Sequence, residues 1–429
     1  MKTKTINMFN FKFPKFIKKL GPGLITGAAD DDPSGIATYS QAGAQYGFGL
    51  LWTMFFTYPL MVSIQLVSAR IGLVTGRGLA ENMRRFYPQY VTWPLVILLL
   101  AANTINIAAD LAAMADAVKL VIGGPRHLYA VGFGMSCLLL QIFIPYERYV
   151  RILKWLTLSL FAYVGTVFAS HVEWNTVIKA TVFPETIFTS QYVLLIVGVF
   201  GTTISPYLFF WQAGQEVEEV RVKHNTTYLN HHPQHLGTHL KRIRIDTIVG
   251  MGFSNLIAFF IMLTTAATLF KAGLHDIQTS AQAAEALRPI AGEFTFILFA
   301  AGIVGTGLLA IPVLAGSAAY AVAELLKKPA SLSLSFHAAK DFYAMIAIAT
   351  LLGVILDFSG IDPIKALLWS AVINGIVAVP LMIALMHMAS RPKVMRSFII
   401  GNHVKYLGWA ATLVMAIAAV TLGFMTFFK

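Results

Sequence analysis

The chain has 429 residues, 57% of them hydrophobic and 12% charged, with a mean hydropathy of +0.69. That balance excludes a soluble enzyme domain, and the one cysteine, Cys137, excludes a disulfide framework. The net charge of +12 is spread over short segments between apolar runs rather than gathered in one patch, so no nucleic-acid partner is expected.

Eleven stretches are near or above the length that crosses a bilayer, at about 20–43, 47–72, 92–122, 128–146, 151–171, 190–214, 243–271, 292–324, 341–357, 364–388 and 406–428. They predict a single transmembrane domain over 1–429 with no soluble domain attached. The basic tail 1–19 has no compact apolar core with a cleavage site, and is expected to lie on the inner membrane surface. If the N-terminus is cytoplasmic, only seven of the 32 Lys and Arg residues fall outside (Lys119, Arg126, Lys179, Lys271, Arg288, Lys365 and Lys429). This positive-inside bias predicts a multi-pass cell-membrane protein, of a prokaryotic inner membrane, with its N-terminus inside and its C-terminus outside. The lipid bilayer is then its main partner, and no obligate protein partner is implied.

The first span carries Asp30, Asp31 and Asp32 in succession, followed by Pro33, Ser34 and Gly35. One Asp at a helix centre costs roughly 2.5–3.5 kcal/mol, so three must face water, an ion or protein. Pro33 removes a backbone donor and Gly35 loosens the chain, which predicts a helix break. Successive side chains on a helix turn by about 100°, so the three acids cannot all reach one site. Asp32, directly at the break, is the candidate ligand. Asp31 is assigned to the ion path or an outer shell. Asp32 can also cap the second half-helix with Pro33 in its first turn, and both roles can coexist.

The third span adds Asn103, Asn106, Asp110 and Asp116. Asp110 is a candidate for the ion path, or for a helix–helix hydrogen bond. The sixth span is interrupted at Gly201-Thr202-Thr203-Ile204-Ser205-Pro206, where unwinding would free carbonyls and the hydroxyls of Thr202, Thr203 and Ser205 supply further oxygens. The tenth span contributes Asn374. The two breaks lie five spans apart. An odd count inverts the second copy, so 20–171 and 190–388 read as inverted five-helix repeats with 406–428 as an additional helix. The longest polar segment, 215–242, is expected to be a cytoplasmic loop. It holds five of the eleven histidines in no zinc-site spacing.

The run GPGLITGAADDDPSGIATYSQAGAQYGFGLLW followed by IQLVSARIGLVTGRGLAENMRRFYP resembles the NRAMP family of divalent-metal transporters. The resemblance implies an all-α membrane protein of the LeuT type, with the first and sixth helices unwound at a transported metal. The family usually shows Asp-Pro-Gly-Asn at the first break. Asp32 and Pro33 match it, while Ser34 and Gly35 replace the Gly and the Asn ligand. In the sixth helix Gly201 and Pro206 match Gly-Ala-x-x-Met-Pro-His, while Thr202, Ser205 and Tyr207 replace Ala, Met and His. In the third helix Asp110, Leu111 and Ala112 match, and Ala113 replaces a Glu. With Ser205 for the thioether the inferred site is all oxygen, which favours hard ions. Gly35 removes a side chain and should widen the cavity. The combination is most like the NRAMP-related magnesium transporter branch.

The expected function is therefore a secondary carrier or facilitator that imports Mg²⁺, and Mn²⁺, as partly hydrated ions by alternating access. Loss of the His and Glu counterparts argues against proton coupling. The expected metal site is Asp32, Ser34, Gly35, Thr202, Thr203 and Ser205, with Asp31, Asp110, Tyr207 and Asn374 in the path or outer shell. The metal is cargo, and no resident cofactor is implied. The alternative within the fold is a proton-coupled Mn²⁺ or Fe²⁺ importer. A sodium-coupled carrier of organic solutes is a further option from architecture alone. An intramembrane aspartyl protease is disfavoured because Tyr-Asp and Gly-x-Gly-Asp settings are absent. So are the phosphate-loop and His-Glu-x-x-His runs of other enzymes.

Overall fold

A computed structural model describes residues 22–144, 157–170, 172–184, 188–223 and 233–427, and every regular element among them is helical. The first span is two half-helices, α1 (Pro22–Asp30) and α2 (Pro33–Tyr46). The second is α3 (Trp52–Thr75), followed by the short α4 (Leu79–Phe86). The third to fifth are α5 (Gln89–Ile122), α6 (Arg126–Phe143) and α7 (Phe161–Ala169), with α8 (Trp174–Val182) in the next connection. The sixth is again two pieces, α9 (Ser190–Thr203) and α10 (Pro206–Lys223). The rest are α11 (Pro233–Thr265), α12 (Thr295–Leu325), α13 (Lys340–Asp357), α14 (Pro363–Ala389) and α15 (Asn402–Phe427).

Both expected breaks are present. At the first, Asp32 is the N-cap of α2 and its carboxylate accepts from the Gly35 amide. At the second, Pro206 opens α10, and the Ser205 hydroxyl donates to the Gly201 and Thr202 carbonyls, each at 2.7 Å. A side chain thus takes over part of the hydrogen bonding that each interruption releases. Pro59, Pro94, Pro312 and Pro380 lie within helices that continue past them, so proline alone does not interrupt a span here.

Around the breaks, α5 packs against α12, α13 and α14, and α11 lies along α1 and α2. Two approaches require glycine. A Cβ on Gly27 would fall 2.2 Å from the Gly250 carbonyl oxygen, and one on Gly201 would fall 2.0 Å from that of Ala371. They bring α1 onto α11 and α9 onto α14 at backbone distance. The additional helix α15 packs on α3, α9 and α14 and leaves Leu413, Ile417, Val420 and Phe424 exposed, as a lipid-facing surface would.

One expectation needs correction. Segment 215–242 is not a loop throughout: α10 runs to Lys223 and α11 starts at Pro233. The remaining polar residues, 224–232, lie outside the described residues, as does the tail 1–19. Eight described helices are long and apolar enough to span a membrane. Of the others, α1–α2 is divided by its break, α13 carries Lys340, Asp341 and Asp357, and the fifth span is described only from residue 157.

Candidate cation site at the two helix breaks

The carboxylate at the first break is held by three donors. Asp32 Oδ1 accepts from the Ser34 hydroxyl and the Gly35 amide, each at 2.7 Å, and Oδ2 accepts from Asn106 Nδ2 at 2.9 Å. Asn106 Nδ2 also lies 3.2 Å from Asp110 Oδ2, and Asn106 Oδ1 accepts from Asn374 Nδ2 at 3.2 Å. Spans one, three and ten therefore meet in one polar chain: Asp32, Asn106, Asp110 and Asn374. All four residues are at most 2% exposed. Asp110 Oδ1 and Asn374 Oδ1 are buried with no hydrogen-bond partner. Orphaned oxygens at this depth carry a full desolvation cost, which a bound cation would relieve.

The other two acids do not fan out into separate directions, as helical rotation suggested, but share one hydroxyl of α11. Ser254 of α11 donates to Asp30 Oδ2 at 2.5 Å and lies 3.1 Å from Asp31 Oδ1. No basic side chain pairs with Asp30, Asp31, Asp32 or Asp110 among the described residues. Nor do three or more His, Cys, Asp or Glu residues form a metal-holding group there.

The second break contributes differently from the expectation. The Thr202 hydroxyl donates to Tyr39 OH at 2.6 Å, and that of Thr203 to the Val199 carbonyl at 2.9 Å. Ser205 is committed to the backbone of its own break, so its hydroxyl does not meet Asp32. Tyr207 OH donates to the Ala29 carbonyl at 3.1 Å, tying α10 to the end of α1. The cavity expected beside Gly35 is absent: a Cβ there would meet Tyr39 Cε2 at 3.2 Å and Asp32 Oδ1 at 3.4 Å, because the Tyr39 ring fills the space.

Asn106 and Ser254 are the residues that sequence reasoning underused. Asn106 stands four residues before Asp110, hence on the same helix face, and that spacing was available. Ser254 stands beside Asn255 in an otherwise apolar stretch and gives no comparable signal.

On the side of Lys119 and Asp362, a vestibule of about 400 Å³ lies among Asp116, Lys119, Gln278 and Asp362. Ser280 and Ile364 line both it and a constriction of about 10 Å³. The constriction is walled by Ile36, Ala113, Phe299, Ile303 and Leu367. A single water needs about that volume, so this space has no room for a hydrated ion. At the opposite end, Asp246 of α11 accepts from the Gly23 and Leu24 amides at 2.7 and 3.1 Å, capping α1. Arg242 joins α11 to Glu216 and Glu219 of α10. The acids at the break are 1–3% exposed, and the site is occluded.

A family model for natural resistance-associated macrophage protein-like (Nramp) sequences matches residues 23–425. The divalent metal cation transporter MntH of Klebsiella pneumoniae subsp. pneumoniae is 27% identical over 402 residues, covering 91% of this chain and 90% of the relative. MntH of Caldanaerobacter subterraneus subsp. tengcongensis is 25% identical over 399 residues, covering 90% and 87%. Among solved structures, the Eremococcus coleocola manganese transporter aligns with a TM-score of 0.78 at 16% identity, covering 99% of this chain and 90% of that one. The transporter MhsT, solved with L-phenylalanine, aligns at 0.57 and 13% identity, covering 94% and 98%. At these identities the structural likenesses speak for the fold: the LeuT type, with the first and sixth helices unwound.

Proposed function

The chain belongs to the Nramp family, and from that membership we propose that it carries divalent cations across the membrane by alternating access, with Mg²⁺ and Mn²⁺ as cargo. It is a transporter, not an enzyme. The observation that carries the ion preference is the donor set at the first break. Asp32 and Asp110 supply charge, and the orphaned Oδ1 atoms of Asp110 and Asn374 supply vacant oxygen positions. Ser34 keeps lone pairs free while its proton goes to Asp32. The Thr202 carbonyl, released by the second break, completes the proposed shell once Ser205 gives it up, directly or through water. Thr203 and Gly35 shape the two turns. Oxygen donors suit Mg²⁺, which keeps several of its waters, and they suit Mn²⁺ as well.

Import then alternates between opening the constricted side near Ile303 and Leu367 and releasing α1 from Asp246 and α10 from α11. Proton movement is not part of this cycle. Ala113 places a methyl group in the constriction where a carboxyl could have relayed protons, and Tyr207 is engaged by the Ala29 carbonyl. A Mn²⁺-soaked crystal tests the site. An anomalous peak within coordinating reach of Asp32 supports it, and a peak elsewhere with Asp32 unliganded refutes it.

One observation favours the alternative, a proton-coupled Mn²⁺ or Fe²⁺ importer with a substitute soft ligand. Met114, one turn beyond Asp110, turns its sulfur onto Gly307 of α12, close to Pro33 of the break. Recording lumenal pH during Mn²⁺ uptake separates the two readings: acidification that tracks uptake favours the importer.

A further inference from the structure

A second polar cavity, remote from the breaks, opens where α3, α11 and the start of α15 converge. It measures about 250 Å³ and is lined by Leu66, Arg70, Leu240, Ile243, Arg244, Gly401, His403 and Val404. No carboxylate is among these residues. Arg70 is fixed: Nε and Nη2 donate to the Phe398 and Ile399 carbonyls at 3.0 and 2.9 Å, which ties the segment before α15 to α3. Its Nη1 makes no hydrogen bond among the described residues. Arg244 and His403 have no ion-pair or hydrogen-bond partner there either, and both belong to walls of the cavity. Lys241, three residues before Arg244 on the same helix face, and Lys405 are exposed nearby. Leu66, Leu240, Ile243 and Val404 supply an apolar wall. Beyond it along α15, Tyr406 and Trp409 are exposed, the residue types that settle at the headgroup level of a bilayer.

We propose that this cavity binds the phosphate of an anionic phospholipid, with Arg70, Arg244 and His403 around the headgroup and an acyl chain along Leu66, Leu240 and Val404. A basic pocket between helices, with Tyr406 and Trp409 exposed beside it, has the chemistry such headgroups require. The bound lipid would bridge α15, which lies outside the two repeats, to α11, whose Asp246 holds the first half-helix. The cavity thus connects bilayer composition to an element that has to move during transport.

The test is native mass spectrometry of the full chain, purified in detergent and titrated with phosphatidylglycerol, phosphatidylcholine or inorganic phosphate. The expected result is retention of one phosphatidylglycerol at concentrations where phosphatidylcholine is lost. Removal of an Arg charge should weaken retention about fivefold. Arg244→Gln with His403→Ala should therefore lower it at least about fivefold, while Arg244→Lys keeps most of it. Lys179→Gln, a change at the other end of the molecule, serves as the control. Equal retention of the two lipids, or undiminished retention by the double variant, overturns the proposal. Displacement by millimolar inorganic phosphate also overturns it, in favour of a free-phosphate site. If the double variant fails to fold, the comparison between lipids on the unmodified chain decides alone.

Discussion

Asn106 Nδ2 donates to Asp32 Oδ2 at 2.9 Å, so a carboxamide on the third span holds the carboxylate that the first span exposes at its break. The same nitrogen lies 3.2 Å from Asp110 Oδ2. One amide thereby spaces two acids that would otherwise repel each other in a dry site, while its oxygen accepts from Asn374 of the tenth span. Groups that orient ligands typically change metal affinity 10- to 100-fold when lost. Asn106→Leu is expected to raise the apparent KM for Mn²⁺ uptake by roughly that factor while the protein remains monodisperse. An unchanged KM would mean that Asn106 only packs helices.

Asp32→Ala is expected to abolish uptake of Mg²⁺ and Mn²⁺ in proteoliposomes. Asp32 also caps α2, so part of the effect could be structural, because a lost cap costs about 0.5–2 kcal/mol. Asp32→Asn retains an oxygen acceptor for the Gly35 amide and removes the charge. Its expected phenotype is near-normal thermal stability with no transport, and normal transport would remove Asp32 from the site.

Replacing Ser205 with Met is expected to shift selectivity toward soft ions. The hydroxyl bonds to Gly201 and Thr202 are lost, and a thioether arrives beside the freed carbonyls. Cd²⁺ uptake relative to Mg²⁺ should rise roughly tenfold or more, because sulfur prefers the softer metal. The ratio of the two uptake rates in one vesicle preparation is the readout.

Gly27→Ala is expected to be among the most destabilising single changes. Its new methyl would lie 2.2 Å from the Gly250 carbonyl oxygen, and the nearest atoms it would meet are all backbone. Overpacking typically costs about 1–3 kcal/mol, and a backbone clash belongs at the upper end. A thermal unfolding scan in detergent should show a clear loss of midpoint, where Gly423→Ala on α15, with open space at its Cβ, shows little.

Much of the architecture was legible because bilayer physics is restrictive. Runs of apolar residues report spans directly, and three consecutive acids at depth demand a break. Pro33 and Pro206 were informative only with Asp32 and Ser205 beside them, since Pro59, Pro94, Pro312 and Pro380 leave their helices intact. The site was half legible. Asp32 at the cap follows from local geometry, whereas the meeting of Asp30 and Asp31 at Ser254 does not. The engagement of Thr202 with Tyr39, of Tyr207 with Ala29 and of Ser254 with Asp30 depends on contacts more than 150 residues apart, which no local pattern encodes. The filling of the space at Gly35 by Tyr39 is likewise a packing outcome: a missing side chain does not guarantee a cavity in an interior packed to high density.

The central claim is a mid-membrane cation position built of oxygen around Asp32. Its most direct test is competitive uptake of Mg²⁺ and Cd²⁺ into proteoliposomes containing the unmodified chain. Mg²⁺ is expected to enter, and equimolar Cd²⁺ is expected not to displace it. Cd²⁺ carried in strong preference, with Mg²⁺ excluded, would contradict it.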